Sequence, residues 1–168
     1  MKTFTHLDEK GRARMVDVTE KDITLRQATA RGTVRMSPEV FQRIVSGGIE
    51  KGDALGVARI AGIMGAKQTA ELIPMCHPLN ITNIEINFQP IEAQHRIEIE
   101  AQVKLQGRTG VEMEALMAVA IAALTIYDMC KAIDREMVIS DIHLVEKRGG
   151  KSGHFVRKKN SPRDDMGK

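Results

Sequence analysis

The sequence predicts an α+β fold of the split βαβ, ferredoxin-like type: an antiparallel sheet with helices on one face, plus a β-rich N-terminal extension. Three observations predict it. From residue 28 the hydrophobic pattern reads strand, helices, strand, strand, helix, strand. Two alternating segments around 84–88 and 97–105 are joined by a link short enough to make a hairpin. A third segment, from 109 to about 133, is apolar all round in its middle, the mark of a buried helix.

Taken in order, the first 25 residues hold short β-like pieces and a turn signal at Lys10-Gly11. Ala28, Ala30, Gly32, Val34 and Met36 then alternate with polar residues, a strand pattern. Ser37-Pro38-Glu39 supplies an N-cap and a first-turn proline, and Gly47-Gly48 should stop that helix. A second helical stretch opens at Lys51-Gly52-Asp53, with Asp53 as N-cap, and runs to about Leu72 before Pro74. Gly56, Gly62 and Gly65 lie within it, each costing ~1 kcal/mol of helix propensity relative to Ala. Close approach of a neighbouring backbone would account for them.

The hairpin follows. Ile84, Ile86 and Phe88 alternate with polar residues on one strand, as do Ile97, Ile99, Ala101, Val103 and Leu105 on the other, with Pro90 to His95 as the link. Thr109-Gly110-Val111-Glu112 matches a capping box at the head of the buried helix. Val138 to Val145 reads as the last strand, and from Gly149 the chain turns to loop. The expected organisation is one domain over 1–155 and a basic tail without fixed structure over 156–168. The far face of the sheet needs a cover, for which the first 25 residues or another subunit are candidates.

Bulk properties narrow the function. Aromatics are scarce, with one Tyr, four Phe and no Trp, so the core must be built from Ala, Ile, Val, Leu and ten Met. The formal charge of +3 belongs to the tail: residues 147–168 hold eight of the 25 basic and two of the 22 acidic side chains, leaving 17 and 20 before them. A basic pI is therefore weak evidence for a nucleic-acid surface on the fold. Two cysteines without CxxC spacing suggest neither a zinc site nor a disulfide framework, and they suit a reducing compartment. The start MKTFTHLDEK has no apolar signal core, and the longest apolar run, Ala115–Leu124, is too short to span a bilayer. The expectation is a cytoplasmic protein with no membrane partner.

Several residues could carry chemistry. Asp128 and Lys131 stand three apart at the end of a very apolar helix, either as an acid/base pair or as a surface ion pair. Ile73-Pro74-Met75-Cys76-His77-Pro78-Leu79 holds Cys76 and His77 between two stiffening prolines, which suits a preorganised site and equally a structural loop. Glu112 fits the capping role, while Glu114, two residues on, points elsewhere and could meet a ligand. Lys51, Arg59 and Lys67 flank a Gly/Ala surface where cations could hold phosphates, or simply face solvent. Gly149-Gly150-Lys151-Ser152-Gly153 fails as a Walker loop, because residue 145 is Val and no helix follows.

The wording of these motifs in order is more specific than any one of them. Lys51-Gly52-Asp53, ARIAGIMGAK (58–67), IPMCHPL (73–79), KLQGRTGVEMEAL (104–116), ALTIYDMCKA (123–132) and GGKSG (149–153), with MVDVTEK (15–21) upstream, resemble the cyclic pyranopterin monophosphate synthase family over about residues 4–155. The resemblance implies a ferredoxin-like homohexamer, a trimer of dimers with active sites at the dimer interface. It implies conversion of 3′,8-cyclo-7,8-dihydro-GTP, supplied by a separate radical enzyme, into cyclic pyranopterin monophosphate and pyrophosphate, a step of molybdenum cofactor biosynthesis. No redox change or organic cofactor is implied; the residues show no metal-ligand cluster, and whether Mg²⁺ assists pyrophosphate departure stays open at this point. Asp128 would be the main acid/base residue, with Lys51, Lys131 and His77 in the catalytic set. Met75, Cys76, His77, Glu112, Met113 and Glu114 would contact substrate, with Lys67, Arg26, Asp17 and Lys147 in the same pocket. The alternative is a non-catalytic nucleotide-binding or RNA-binding module of the same fold. RNA recognition by such a sheet needs stacking aromatics, and the strand pairs offer only Phe88, on the apolar alternation.

Overall fold

The structure, a computed structural model, describes residues 6, 8, 10–47 and 53–158. The first strand, β1 (Thr24–Arg35), is followed by α1 (Pro38–Ser46), α2 (Ala54–Lys67) and the one-turn α3 (Thr69–Leu72). The hairpin β2 (Asn83–Ile91) and β3 (Arg96–Gly107), the long helix α4 (Glu112–Cys130), β4 (Val138–Arg148) and the two-residue β5 (Phe155–Val156) complete it. The sheet is antiparallel throughout, in the order β2-β3-β1-β4-β5. The predicted plait is therefore the observed one, with β1 and β3 central and the two long helices on one face.

The helix starts follow their caps. Ser37 Oγ accepts from the Val40 N–H, Gly47 ends α1 at φ 71, and Asp53 accepts from the Gly56 N–H at 2.8 Å. The stretch expected to be one helix to Leu72 breaks at Gln68 (φ −98, ψ 8). There the buried Thr69 hydroxyl bonds back to the carbonyls of Gly65 (3.3 Å) and Ala66 (3.0 Å), which competes with the helical ladder.

The layers close tightly because the residues between them are small. Ala115, Ala118, Val119, Ala122, Ala123 and Ile126 of α4 are fully buried against Ala28, Ala30 and Val34 of β1 and Ile97, Ile99 and Val103 of β3. A Cβ on Gly62 of α2 would lie 2.8 Å from the Ala118 carbonyl oxygen, so the backbone of α4 is the close neighbour that Gly62 admits; a Cβ on Gly65 would meet the Ile121 side chain of α4, and one on Gly56 only the Asp53 carboxylate that caps its own helix. By length and mean hydropathy α4 would pass for a membrane-crossing helix; its apolarity is explained by its place between sheet and α2. Pro90 falls within β2, at the sheet edge where a missing N–H costs no ladder bond.

The far face of the sheet is polar. Arg31 pairs with Glu100 across β1–β3 at 2.6 Å, and Thr33 Oγ1 meets Ser140 Oγ at 2.8 Å across β1–β4. The segment before β1 adds no strand to the sheet among the described residues. Its described residues hold only an isolated bridge at Ala13, so the expected β-rich extension is not confirmed. At the other end, the loop expected from Gly149 returns to the sheet as β5, where Phe155 pairs with Lys147 and Val156 with Glu146. The last long strand accordingly runs to Arg148 rather than Val145. Most of the expected basic tail, residues 159–168, lies outside the described residues.

Candidate active site

The site is built around the first turn of α4. The turn 107–111 leads into the helix with Val111 at the N-cap and no side-chain cap bond, so the capping box read from Thr109 and Glu112 does not form. Glu112 is engaged elsewhere: its carboxylate folds over Gly110 and meets Lys147 at 2.8 Å. The loop after α3, closed by the Cys76 N–H on the Ile73 carbonyl (3.0 Å), sets Met75, Cys76 and His77 beside this helix start.

Two adjoining clefts result. The first, of about 350 Å³, is lined by Met75, Cys76, His77 and Leu79 on one side, Thr109, Gly110, Glu112, Met113 and Glu114 on another, and His6, Val16, Val18 and Lys21 from the N-terminal segment. The second, of about 670 Å³, is lined by Lys21, Asp22, Thr24, Arg26, Arg108, Thr109, Gly110, Glu112, Lys147, Gly150, Lys151 and Ser152. Lys21, Thr109, Gly110 and Glu112 belong to both. The smaller cleft thus mixes thioether, thiol and aliphatic surface with carboxylates, while the larger sets five basic side chains against two acidic ones.

The electrostatics differ between them. Glu114 is only 3% exposed, and burial, with the nearby Glu112 charge adding, pushes its carboxyl up to about 7. Burial also raises the Cys76 thiol, and Glu114 adds to the effect. Asp17 is held low by the N–H and hydroxyl of Thr19, with Arg14 and His77 contributing positive charge. Arg108 donates to the Thr19 carbonyl and so ties the N-terminal segment to the turn before α4. Arg26, 8% exposed, donates through Nε to the Gly107 carbonyl and through Nη2 to that of Arg108, both at 3.1 Å. Among the described residues, no group of three His, Cys, Asp or Glu side chains is placed to hold a metal ion.

Of the residues singled out from sequence, the clefts gather Met75, Cys76, His77, Glu112, Met113, Glu114, Arg26 and Lys147. Asp17 lies between two lining residues, within the field of His77. Lys67 is the exposed last residue of α2 and lines neither cleft. Lys51 lies outside the described residues. Asp128 and Lys131 form their own pair, Nζ to Oδ1 at 2.6 Å, exposed at the far end of α4. At ~1.5 Å rise per residue, Asp128 stands about 21 Å along the helix from Glu114. Within one chain the pair and the clefts do not converge. The pair's hydrogen bond and charge raise the Lys131 ammonium. Lys21, Arg108, Lys151 and Ser152 were not singled out one by one, although MVDVTEK, KLQGRTGVEMEAL and GGKSG contain them; their common signal is a basic or hydroxyl side chain beside glycine or at a turn.

The MoaC family model matches residues 15–150, which spans every element from β1 to β4 and all the cleft-lining residues except His6, Lys151 and Ser152. The chain belongs to the MoaC family. Its relatives include the cyclic pyranopterin monophosphate synthase of Desulfitobacterium hafniense, 66% identical over 154 residues that cover 92% of this chain and 94% of that protein. The proteins of the same name from Heliobacterium modesticaldum (60% identical over 94% of this chain and 99% of its own length) and Clostridium acetobutylicum (62%, 92% and 96%) are similar to it over the same extent. The MoaC match thus covers β1 to β4 with the helices between them, including the Asp128–Lys131 end of α4.

Proposed function

We propose that the chain is a cyclic pyranopterin monophosphate synthase, a lyase that converts 3′,8-cyclo-7,8-dihydro-GTP into cyclic pyranopterin monophosphate with release of pyrophosphate. One observation supports this best: a small, partly apolar cleft with a buried carboxyl opens through Glu112 into a larger cationic one. That pairing suits a ligand with a heterocycle at one end and a triphosphate at the other. The ring end would lie among Met75, Cys76, His77, Met113 and Glu114. The phosphates would lie toward Lys147, with Arg26 behind them.

The chemistry asks for protons to move during ring rearrangement and for a sugar hydroxyl to attack the innermost phosphorus. As the new O–P bond forms, the bond to the bridging oxygen of the outer two phosphates breaks and pyrophosphate leaves with the electron pair. Cations stabilise the charge that builds on the departing oxygens. Asp128 serves as acid/base residue, Lys51 and Lys131 as proton-transfer or charge-stabilising groups, and His77 as their partner beside the ring. Asp17 serves at the rim of the ring cleft, and Lys67, which lines neither cleft of its own chain, serves a site shared with a second protomer.

Because Asp128 and Lys131 stand at the opposite end of α4 from the clefts, the complete site takes them from a second protomer. The assembly is a homohexamer, a trimer of dimers with the sites between dimer partners. The face of α2 that carries Val57, Ile60 and Met64, 43%, 63% and 53% exposed at helical spacing, is suited to such a contact. The protein works in the cytoplasm, downstream of a radical enzyme that makes its substrate.

The test is to supply the cyclised nucleotide to the pure protein and follow oxidised, fluorescent pterin together with pyrophosphate. Both products should appear in equal amounts. Tight binding without turnover would leave a nucleotide-binding module instead.

A further inference from the structure

The stretch Gly149-Gly150-Lys151-Ser152-Gly153 has no role in the reaction as proposed above, yet it forms one wall of the larger cleft. It is a fixed loop. The Gly153 N–H closes on the Gly150 carbonyl at 3.0 Å, and β5 returns the chain to the sheet directly afterwards. Its inner side rests on Arg26. A Cβ on Gly150 would overlap Arg26 Nη1, and φ there is 73, so only glycine lets the backbone sit on that guanidinium. Arg26 in turn spends Nε and Nη2 on the carbonyls of Gly107 and Arg108. It therefore spans the cleft from below, joining the loop on one wall to the turn before α4 on the other.

The outer side of the loop carries the groups that could meet an anion. Ser152 Oγ is 2.7 Å from Lys147 Nζ, and Lys151 lines the same cleft. On the floor, Thr24 Oγ1 is buried without a hydrogen-bond partner. Oxygen-rich anions supply acceptors for all of these, and two ammonium groups beside a hydroxyl suit phosphate oxygens.

We propose that residues 149–153 form the polyphosphate-holding loop of this site, with Lys151 and Ser152 meeting the anion beside Lys147 and Arg26 acting beneath Gly150 as the positioning residue. The ligand class is a di- or triphosphate: the phosphate chain of the substrate or the pyrophosphate released from it. The proposal rests on reading the two clefts as one nucleotide site, but it can fail separately.

The experiment uses the full chain and inorganic pyrophosphate as probe, by calorimetry, with inorganic phosphate as a weaker comparison. Lys151→Ala, an exposed change that leaves the fold intact, should weaken pyrophosphate binding about tenfold, the loss expected for one charge-assisted contact. Gly150→Ala keeps every charge but lifts the loop off Arg26; it should weaken binding by a similar factor and add little on top of Lys151→Ala. Ser152→Ala should show a smaller loss, and raised salt should weaken the wild type. Steady-state turnover then separates the sources. A parallel rise in KM for the cyclised nucleotide and in the inhibition constant for pyrophosphate identifies the substrate's phosphates; a rise in the inhibition constant alone identifies the released product. Wild-type affinity for pyrophosphate in Lys151→Ala, or in folded Gly150→Ala, overturns the loop assignment even if the wild type turns over. A wild type that binds pyrophosphate through this loop but never converts the nucleotide would sink the enzymatic reading and leave the loop standing.

Discussion

The ammonium of Lys147 lies 2.8 Å from the Glu112 carboxylate, joining the end of β4 to the first turn of α4 where the two clefts meet. Both side chains are about a quarter exposed, at 24% and 26%. The pair is worth little to stability, under ~1 kcal/mol for a solvent-reached ion pair. Its value is orientation. Glu112→Gln should leave the melting temperature nearly unchanged and lower kcat/KM at least ~10-fold, as expected when a charge near the reacting phosphates loses its alignment. Lys147→Ala should cost more, since a lone carboxylate then faces the polyphosphate, and the double variant should recover part of that loss. Kinetics on the three proteins checks the order.

Glu114 makes stability depend on pH. Its folded value, about 7, lies above the ordinary 4.5, so the native state holds a proton that the unfolded state gives up. Stability associated with this group is complete below about pH 4.5 and is lost as pH rises through about 7, with a ceiling of about 3 kcal/mol. Glu114→Gln cannot ionise and should flatten that decline, melting above the wild type at pH 8 and close to it at pH 4.5. Equal pH slopes in the two proteins would count against a buried neutral carboxyl.

Asp128→Ala should abolish pterin formation while the melting temperature and oligomeric state hold. The Asp128–Lys131 pair is exposed at 63% and 52%, so it does not support the fold. Lys131→Ala should give the same separation of activity from stability. Because the pair belongs to a different end of α4 from the clefts, mixing Asp128→Ala with Glu114→Ala protein should restore some turnover if protomers exchange. A mixture as dead as its parts would argue against a shared site.

Gly62→Ala tests the helix contact. Propensity alone favours Ala by ~1 kcal/mol, but the new Cβ would sit 2.8 Å from the Ala118 carbonyl oxygen and against Ile86. Overpacking of this kind costs about 1–3 kcal/mol, so a net loss is expected in a denaturant or thermal melt.

The strands were legible because each buries one face only, so Ile97, Ile99, Ala101, Val103 and Leu105 print their alternation directly on the sequence. Asp53 and Ser37 were legible as caps for the same local reason. Three features were not. The break at Gln68 depends on where the Thr69 hydroxyl turns, which spacing does not encode. The capping box failed because Glu112 is drawn away by Lys147, 35 positions later and on another element. β5 has two exposed residues and no periodicity to read. In the site, single titratable residues at motif positions were readable one by one. The rest of the cationic wall was not, because Lys21, Arg108 and Lys151 are brought to Arg26 and Lys147 only by the crossing of β1, the turn before α4 and the end of β4.

α4 buries at least one side chain in every turn from Glu114 to Cys130, so the polar groups at its two tips keep a set spacing and a set angle about the axis. Inserting a single residue anywhere between Glu114 and Asp128 would swing one tip by about 100° relative to the other. Insertions and deletions are therefore expected to accumulate in the loops of this lineage and to spare that span, whatever substitutions its alanines accept.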